Sequence, residues 1–259
     1  MTRKPADLAV ARTASRDDLL ALLGAESPEV LAALLENPNL DEGMLCRLLE
    51  RKNLSGELLQ RVARKPEWIK VYAVRLRLAR HPHTPRLISL AIVRQLYLFD
   101  LAQLSLLPSA AAEVRRLAEE IILNRIPQLP LGQKLTLARR GSGRVAAALL
   151  VQGLAQAVPL ALDNAFLNET HVLRVLSHAG LAPAVVAAIA KHAKWSYNMS
   201  IRFALVRHPL TPLARVLTFL PDLTLPNLRD MLRLPGLRTD LRQYLEIEVA
   251  RRAAGRRRS

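Results

Sequence analysis

Arginine is the residue type here whose number and spacing could do chemistry. Arg47, Arg75, Arg80 and Arg115 stand 127 positions before Arg174, Arg202, Arg207 and Arg242, and Arg64 stands 127 before Lys191. A guanidinium is always charged, and its planar fork of donors matches a phosphate. Cations that recur on equivalent faces of a repeated chain would meet a phosphate chain at several points. The same arginines also admit a structural role. Arg80 and Arg207 fall near helix ends, where they can bind the last carbonyls, and Arg75 and Arg202 suit an inter-helix salt bridge.

Three further groups carry possible chemistry. Arg139-Arg140-Gly141-Ser142-Gly143-Arg144 places glycines and arginines before a helix, an arrangement that can hold an anion. It lacks the spacing and the Lys-Ser/Thr ending of a phosphate-binding P-loop, so a helix–helix turn is the first reading and an anion site the second. Trp68 and Trp195 could stack on a base. Their place in the first turn of an apolar helix favours inter-repeat packing. His81 and His208 each precede a proline, and His83 adds a His-x-His pair in the first half only. Turn capping suits these rings better than metal binding, for which further ligands are missing.

Catalytic patterns are absent. No serine sits in a nucleophile elbow and no His-Glu-x-x-His occurs. Asp100, Asp163, Asp222 and Asp230 stand as isolated carboxylates. Cys46, the single cysteine, lies among Met44, Leu45, Leu48 and Leu49 and reads as a small buried residue. One cysteine allows neither an intrachain disulfide nor a cysteine-ligated cluster, and it fits a reducing cytoplasm. No cofactor and no metal site are expected. The formal net charge of +16 predicts attraction to nucleic acid, to an anionic membrane surface or to an acidic protein. Nothing at the start of the chain resembles a secretory signal. The uncharged stretch Val145 to Leu162 is broken by Gln152, Gly153, Gln156 and Pro159, so it reads as two short buried helices rather than a membrane span.

The elements that must position these residues are short amphipathic helices punctuated by Pro, Asn and Gly. Ser27-Pro28 starts one, with Ser27 as cap and Pro28 in the first helical position. Further helices are expected over 41–50 and 55–64. A longer one begins at Pro66 and carries Trp68, Val71, Tyr72, Val74, Leu76 and Leu78. Thr84 is expected to cap a helix whose first residue is Pro85. Pro108 and its mate Pro235 each open a terminal helix, over about 109–123 and 236–253. Alternating apolar–polar runs are scarce and Asn-Gly or Asp-Gly turns absent, so no sheet is expected.

The halves match without a gap. Trp68 to Pro85 reads WIKVYAVRLRLARHPHTP and Trp195 to Pro212 reads WSYNMSIRFALVRHPLTP. Helices of about ten residues are marginal alone and must stack. The fold class expected is therefore all-α, an α-solenoid of stacked short helices with an internal duplication at an offset of 127. Residues 1–15 would be a frayed polar leader, 16–140 and 141–250 the two halves, and 251–259 a disordered Arg-rich tail.

Ala63, Pro66, Trp68, Val71, Ala73, Val74, Arg75, Ala79, His81-Pro82, Thr84-Pro85 and Leu87 carry a resemblance. The segment 63–90 resembles the leucine-rich repeat variant family and, more loosely, HEAT and armadillo repeats. Segment 190–217 repeats it more weakly. The resemblance implies stacked helices, some of them 3-10, and an interaction surface rather than catalysis. That family's iron–sulfur module needs clustered cysteines, which this chain lacks. The leading expectation is a non-enzymatic protein engaging nucleic acid through arginines on one face, in a sequence-independent and salt-dependent way. One alternative is a protein-interaction scaffold with an acidic or apolar partner. Another is a HEAT-like DNA glycosylase, which would need a carboxylate beside an aromatic pocket.

Overall fold

The computed structural model describes residues 4–233, 237 and 239–255. It is helical throughout, with no strand among the described residues. The chain divides into two compact units, Met1–Arg125 and Ile126–Ser259. The first contains α1 (Lys4–Thr13), α2 (Arg16–Leu22), α3 (Pro28–Leu34), α4 (Glu42–Leu48), α5 (Gly56–Arg64), α6 (Pro66–Ile69), α7 (Tyr72–Arg80), α8 (Arg86–Val93), α9 (Leu98–Leu106) and α10 (Ala112–Arg125). The second contains a 3-10 turn Ile126–Gln128, then α11 (Leu131–Arg140), α12 (Gly143–Gln152), α13 (Ala157–Leu162), α14 (Glu169–Leu176) and α15 (Pro183–Lys191). A 3-10 turn Trp195–Tyr197 precedes α16 (Met199–Arg207) and α17 (Leu213–Phe219). A third 3-10 turn, Leu220–Asp222, leads into α18 (Leu225–Leu232) and α19 (Thr239–Gly255).

Among the described residues, side-chain caps open eight of these helices. Ser15, Ser27, Asp41 and Ser55 each accept a backbone N–H in the first turn of α2 to α5, as Ser142, Asn168, Asn198 and Thr224 do for α12, α14, α16 and α18. Gly153 ends α12 at φ 68, a left-handed conformation that glycine adopts without a Cβ penalty. All of the helices except α10 and α19 have ten residues or fewer, too short to stand alone, so packing supplies their stability. In the first unit α3 packs on α1, α2 and α5, α7 on α4, α5, α6, α8 and α9, and α10 on α8 and α9. In the second, α13 packs on α11, α12 and α15, α14 on α12 and α16, and α19 on α18. Leu45, Leu59, Leu78 and Leu101 fill one core, and Val172, Val186, Leu205 and Leu228 fill the other.

Several boundaries differ from the expected ones. The leader is helical over α1, and Ala11 and Ala14 are buried. The helix expected to run on from Pro66 is interrupted, because Val71 is extended (φ −74, ψ 121) and α7 starts after it. Thr84 does not cap α8. Its hydroxyl donates back to the Leu78 carbonyl (2.7 Å), closing the end of α7, and Pro85 occupies the cap position. The division between units falls after Arg125, not at the Gly141–Gly143 break, so α11 belongs with the second unit. Residues 251–255 of the tail continue α19. Leu234, Pro235 and Gly236, expected at the opening of the last helix, lie outside the described residues, as do 256–259.

Most first-unit helix boundaries recur 127 positions later. Lys4–Thr13 corresponds to Leu131–Arg140, Gly56–Arg64 to Pro183–Lys191, and Tyr72–Arg80 to Met199–Arg207. Buried side-chain bonds recur too. Asn37 Nδ2 donates to the Ala11 and Ala14 carbonyls (3.0 and 3.2 Å), and Asn164 Nδ2 to those of Ala138 and Gly141 (2.8 and 3.0 Å). Thr211 donates to the Leu205 carbonyl as Thr84 does to Leu78. These bonds satisfy carbonyls that the helix ends leave open.

Candidate nucleic-acid interface

The arginines expected to form a track separate into two groups. Arg75, Arg80, Arg115, Arg202 and Arg242 are half-buried. Arg80 donates to Gln103 (2.6 Å) and pairs with Asp100 (3.3 Å). Arg202 bonds the Ser196 carbonyl and the Asp222 carboxylate, and its guanidinium lies 5.2 Å from the Tyr197 ring centre and 5.5 Å from that of Phe219. Arg242 donates to the Leu232 carbonyl (3.2 Å). Arg115 keeps a buried Nε with no hydrogen-bond partner among the described residues. Arg80, Arg115, Arg202 and Arg242 have structural engagements or burial to explain them, whereas Arg75 has no acid partner among the described residues.

Arg47, Arg139, Arg140, Arg144, Arg174 and Arg207 are exposed. Arg207 rests 5.4 Å from the Phe203 ring centre. Arg47 and Arg174 end α4 and α14 at equivalent positions, and neither makes an ion pair among the described residues. Arg64 and Lys191, also exposed, end α5 and α15 in the same way.

The turn at Gly141–Gly143 is buried. Ser142 caps α12 by accepting the Val145 N–H (3.3 Å). A Cβ at Gly143 would collide with the His171 ring and the Phe166 carbonyl, so this glycine is there for close backbone approach. The first turn of α12 therefore offers no open cradle for a phosphate, and of this motif only the flanking arginines face solvent.

Neither tryptophan presents a free ring in the same way. Trp195 is 3% exposed, and its Nε1 donates to the Leu162 carbonyl (2.9 Å). Trp68 is half-buried, and its Nε1 has no partner among the described residues. One exchange explains the difference. In the first unit Lys65 takes the Leu35 carbonyl, the equivalent of Leu162. In the second, His192 replaces Lys65 and turns to Asp163 (3.0 Å), which leaves the carbonyl to Trp195.

The histidines are fixed by backbone bonds. His81 Nδ1 accepts the His83 N–H (3.2 Å) and its Nε2 meets the Arg51 carbonyl (2.7 Å), while His83 Nδ1 meets the Leu54 carbonyl (3.0 Å). Burial holds both His81 and His208 below the ordinary histidine pKa. The carboxylates that looked isolated are all engaged. Asp100 binds Tyr72 and Arg80, Asp163 binds His192, Asp222 binds Arg202 and Asp230 binds Arg233. Asp100 and Asp163 both lie beside aromatic rings, but Tyr72 and Arg80 occupy both Asp100 oxygens and His192 pairs with Asp163, so neither is the open carboxylate that a glycosylase needs.

Chemistry that the sequence does not announce lies around Arg75. Its guanidinium sits 5.6 Å from the Tyr72 ring centre and donates to Gln95 (2.7 Å). Tyr72 stacks on Tyr97 at 4.3 Å with the planes 28° apart, and Tyr97 is 68% exposed. The Tyr72 hydroxyl donates to Asp100 and accepts the Tyr97 N–H (3.1 Å), which locks the pair. Burial and the Asp100 carboxylate push the Tyr72 hydroxyl pKa up, so it stays protonated and donating. Arg75 also forms one wall of a cleft of about 350 Å³ between α5, α6, α7 and α8. The only sequence signal for this group is the i, i+3 spacing of Tyr72 and Arg75, because Tyr97 lies in a separate turn.

No family model, curated protein or solved structure matches the chain. No helix among the described residues is long and apolar enough to cross a membrane.

Proposed function

We propose that this is a non-enzymatic helical-repeat protein, an α-solenoid-like chain duplicated at 127 residues, that binds nucleic acid through arginines. The recurrence of helix boundaries, of the Asn37/Asn164 clamp and of the Thr84/Thr211 bond supports the repeat reading. Packing of α1 on α3, α3 on α5, α5 on α7 and α7 on α9 is the pattern expected when each repeat touches its sequence neighbours.

One observation carries the binding reading. Cations kept at equivalent positions fall into two sorts. Those with structural work, such as Arg80 and Arg202, have a carboxylate or carbonyl partner. Arg47/Arg174 and Arg64/Lys191 keep the charge in both units, stay exposed in both, and lack a neutralising acid among the described residues. Uncompensated exposed cations on a chain of net charge +16 attract polyanions.

The test is fluorescence anisotropy with labelled DNA and RNA strands across a salt series. Tight binding whose log affinity falls steeply with log salt is expected. Replacing Arg47, Arg64, Arg174 and Lys191 by Gln lowers the salt slope by about 0.9 for each phosphate of duplex DNA that is no longer neutralised. No binding at low salt, or an unchanged slope in the quadruple variant, overturns the reading. A protein-interaction surface is the second reading, favoured by Leu87, which is 82% exposed on α8. It predicts an apolar partner and little salt dependence.

A further inference from the structure

The cleft beside Arg75 is lined by Gln60, Arg64, Ile69, Leu87, Ile88 and Gln95, with small aliphatic side chains between them. The floor and sides are aliphatic, two guanidinium-bearing residues stand at it, and no carboxylate is among its lining residues. An aliphatic slot with cations on its walls fits a ligand with a flat, weakly polar body and an anionic tether. At about 350 Å³ it lies near the small end of the range, roughly 300–1,000 Å³, that ligand sites occupy. A nucleobase on its sugar-phosphate has that size and that division of polarity.

The wall continues into an aromatic platform. Arg75 lies over Tyr72, and Tyr72 lies against Tyr97, whose surface is mostly open. Stacked guanidinium and phenol planes are the surfaces on which unpaired bases settle, and every base has a π-face to offer. Bases inside a duplex do not present those faces. The Gln60 and Gln95 amides add donors and acceptors at the cleft without adding charge.

The second unit supplies an internal contrast at the same register. Gln95 is replaced by Asp222, which pairs with Arg202. Tyr72 is replaced by Met199 and Tyr97 by Thr224. There the guanidinium is neutralised and 13% exposed, and it lies against Tyr197 and Phe219 instead of a stacked tyrosine pair. The fold tolerates the loss of the stacked tyrosine pair and of the unpaired cation, so the backbone does not require them. In the first unit the cation is left without an acid among the described residues and is flanked by an open aromatic pair.

We propose that the cleft between α5 and α8, with the Tyr72–Tyr97 platform, takes an unpaired nucleobase and gives the first unit a preference for single-stranded nucleic acid. Arg64 and Arg75 meet the adjoining phosphates, and Tyr97 stacks on the neighbouring base. This rests on the nucleic-acid reading above and adds the strandedness of the ligand and the residues that read it.

The experiment measures anisotropy of labelled single strands, DNA and RNA in separate arms, against a DNA duplex of the same sequence and a strand of equal length with abasic positions. The full chain is used. Tyr97→Ala is the main variant, since its side chain is mostly exposed, and circular dichroism checks that it folds. Gln95→Asp is the second, because it installs the acid that the second unit already carries. The wild type is expected to bind a single strand of at least one kind more tightly than the duplex or the abasic strand. Tyr97→Ala is expected to weaken single-strand binding about tenfold, with duplex binding and the salt slope unchanged. Gln95→Asp is expected to weaken single-strand binding to a similar degree. Equal affinity for single strand, abasic strand and duplex, unaltered by either variant, overturns the cleft proposal and leaves the arginine reading standing. Failure of the wild type to bind any of the four probes overturns both.

Discussion

Replacing Asn164 by Ala should destabilise the second unit more than replacing Asn37 destabilises the first, although both are buried and equivalent. Asn164 makes three bonds: Nδ2 to the Ala138 carbonyl (2.8 Å), Nδ2 to the Gly141 carbonyl (3.0 Å), and Oδ1 from the Phe166 N–H (2.7 Å). Asn37 makes the same three at 3.0, 3.2 and 2.8 Å. The difference lies two residues on. In the first unit Asn39 sits where Phe166 sits in the second, and Asn39 Nδ2 also donates to the Ala14 carbonyl (3.0 Å). Asn37→Ala therefore leaves Ala14 with a donor, whereas Asn164→Ala leaves both carbonyls bare. Three bonds at about 1 kcal/mol each, together with part of the roughly 1–3 kcal/mol cost of an orphaned buried group, come to about 4 kcal/mol for Asn164→Ala. One carbonyl fewer is orphaned in Asn37→Ala, so its cost is smaller by about 1–2 kcal/mol. Urea denaturation followed by circular dichroism measures this, with a two-transition fit if the units unfold separately. A cost below about 1 kcal/mol for Asn164→Ala, or an equal or larger cost for Asn37→Ala, refutes the hydrogen-bond account.

Buried rings set two further outcomes. His81 and His208 titrate below the ordinary histidine value of 6.5 because burial disfavours the charged ring. The unfolded chain thus binds protons that the fold refuses, so stability is fully present above about pH 6.5 and falls as pH drops below it toward the depressed folded values. Denaturation midpoints between pH 7 and 5 should show this, and a His81→Gln/His208→Gln variant should show a flatter profile. A wild-type profile that is flat or rises toward pH 5 contradicts the assignment. The tryptophans should also separate. With Trp68→Phe, the remaining Trp195 should resist iodide quenching. With Trp195→Phe, Trp68 should quench more readily, and the protein should lose about 1–3 kcal/mol for the orphaned Leu162 carbonyl. Equal quenching of the two would overturn the burial difference.

Local chemistry is legible in the sequence wherever a single residue type settles it. Ser27 before Pro28 marks the start of α3, and most helices of the first unit start 127 positions before helices of the second, at the offset of the gap-free sequence match. Where two roles compete for one residue the sequence is silent. Thr84 can cap the helix ahead or close the one behind, and its hydroxyl takes the second role by donating to the Leu78 carbonyl. The break before α7 leaves no trace in Val71, yet Asn198, 127 positions on, is a strong cap residue that opens α16, and comparing the two segments reveals it. The arginines show their positions but not which of them have partners, because a partner 20 residues away, such as Asp222 for Arg202, depends on helix packing. The Tyr72–Tyr97 platform is invisible for the same reason. The two rings lie 25 positions apart and meet only after α7, α8 and α9 have packed.

The short reach of the bonds between helices has a consequence for how the chain is made. The Trp195 bond to Leu162 spans 33 positions, and those of Lys65 to Leu35 and His81 to Arg51 span 30 each. Low contact order favours fast folding and spares the chain a long search for distant partners. Each helix can therefore find its partners soon after leaving the ribosome, and the first unit can close around Leu78 and Leu101 while the second is still being synthesised. A nascent chain halted shortly after the first unit has emerged should already resist protease over that unit.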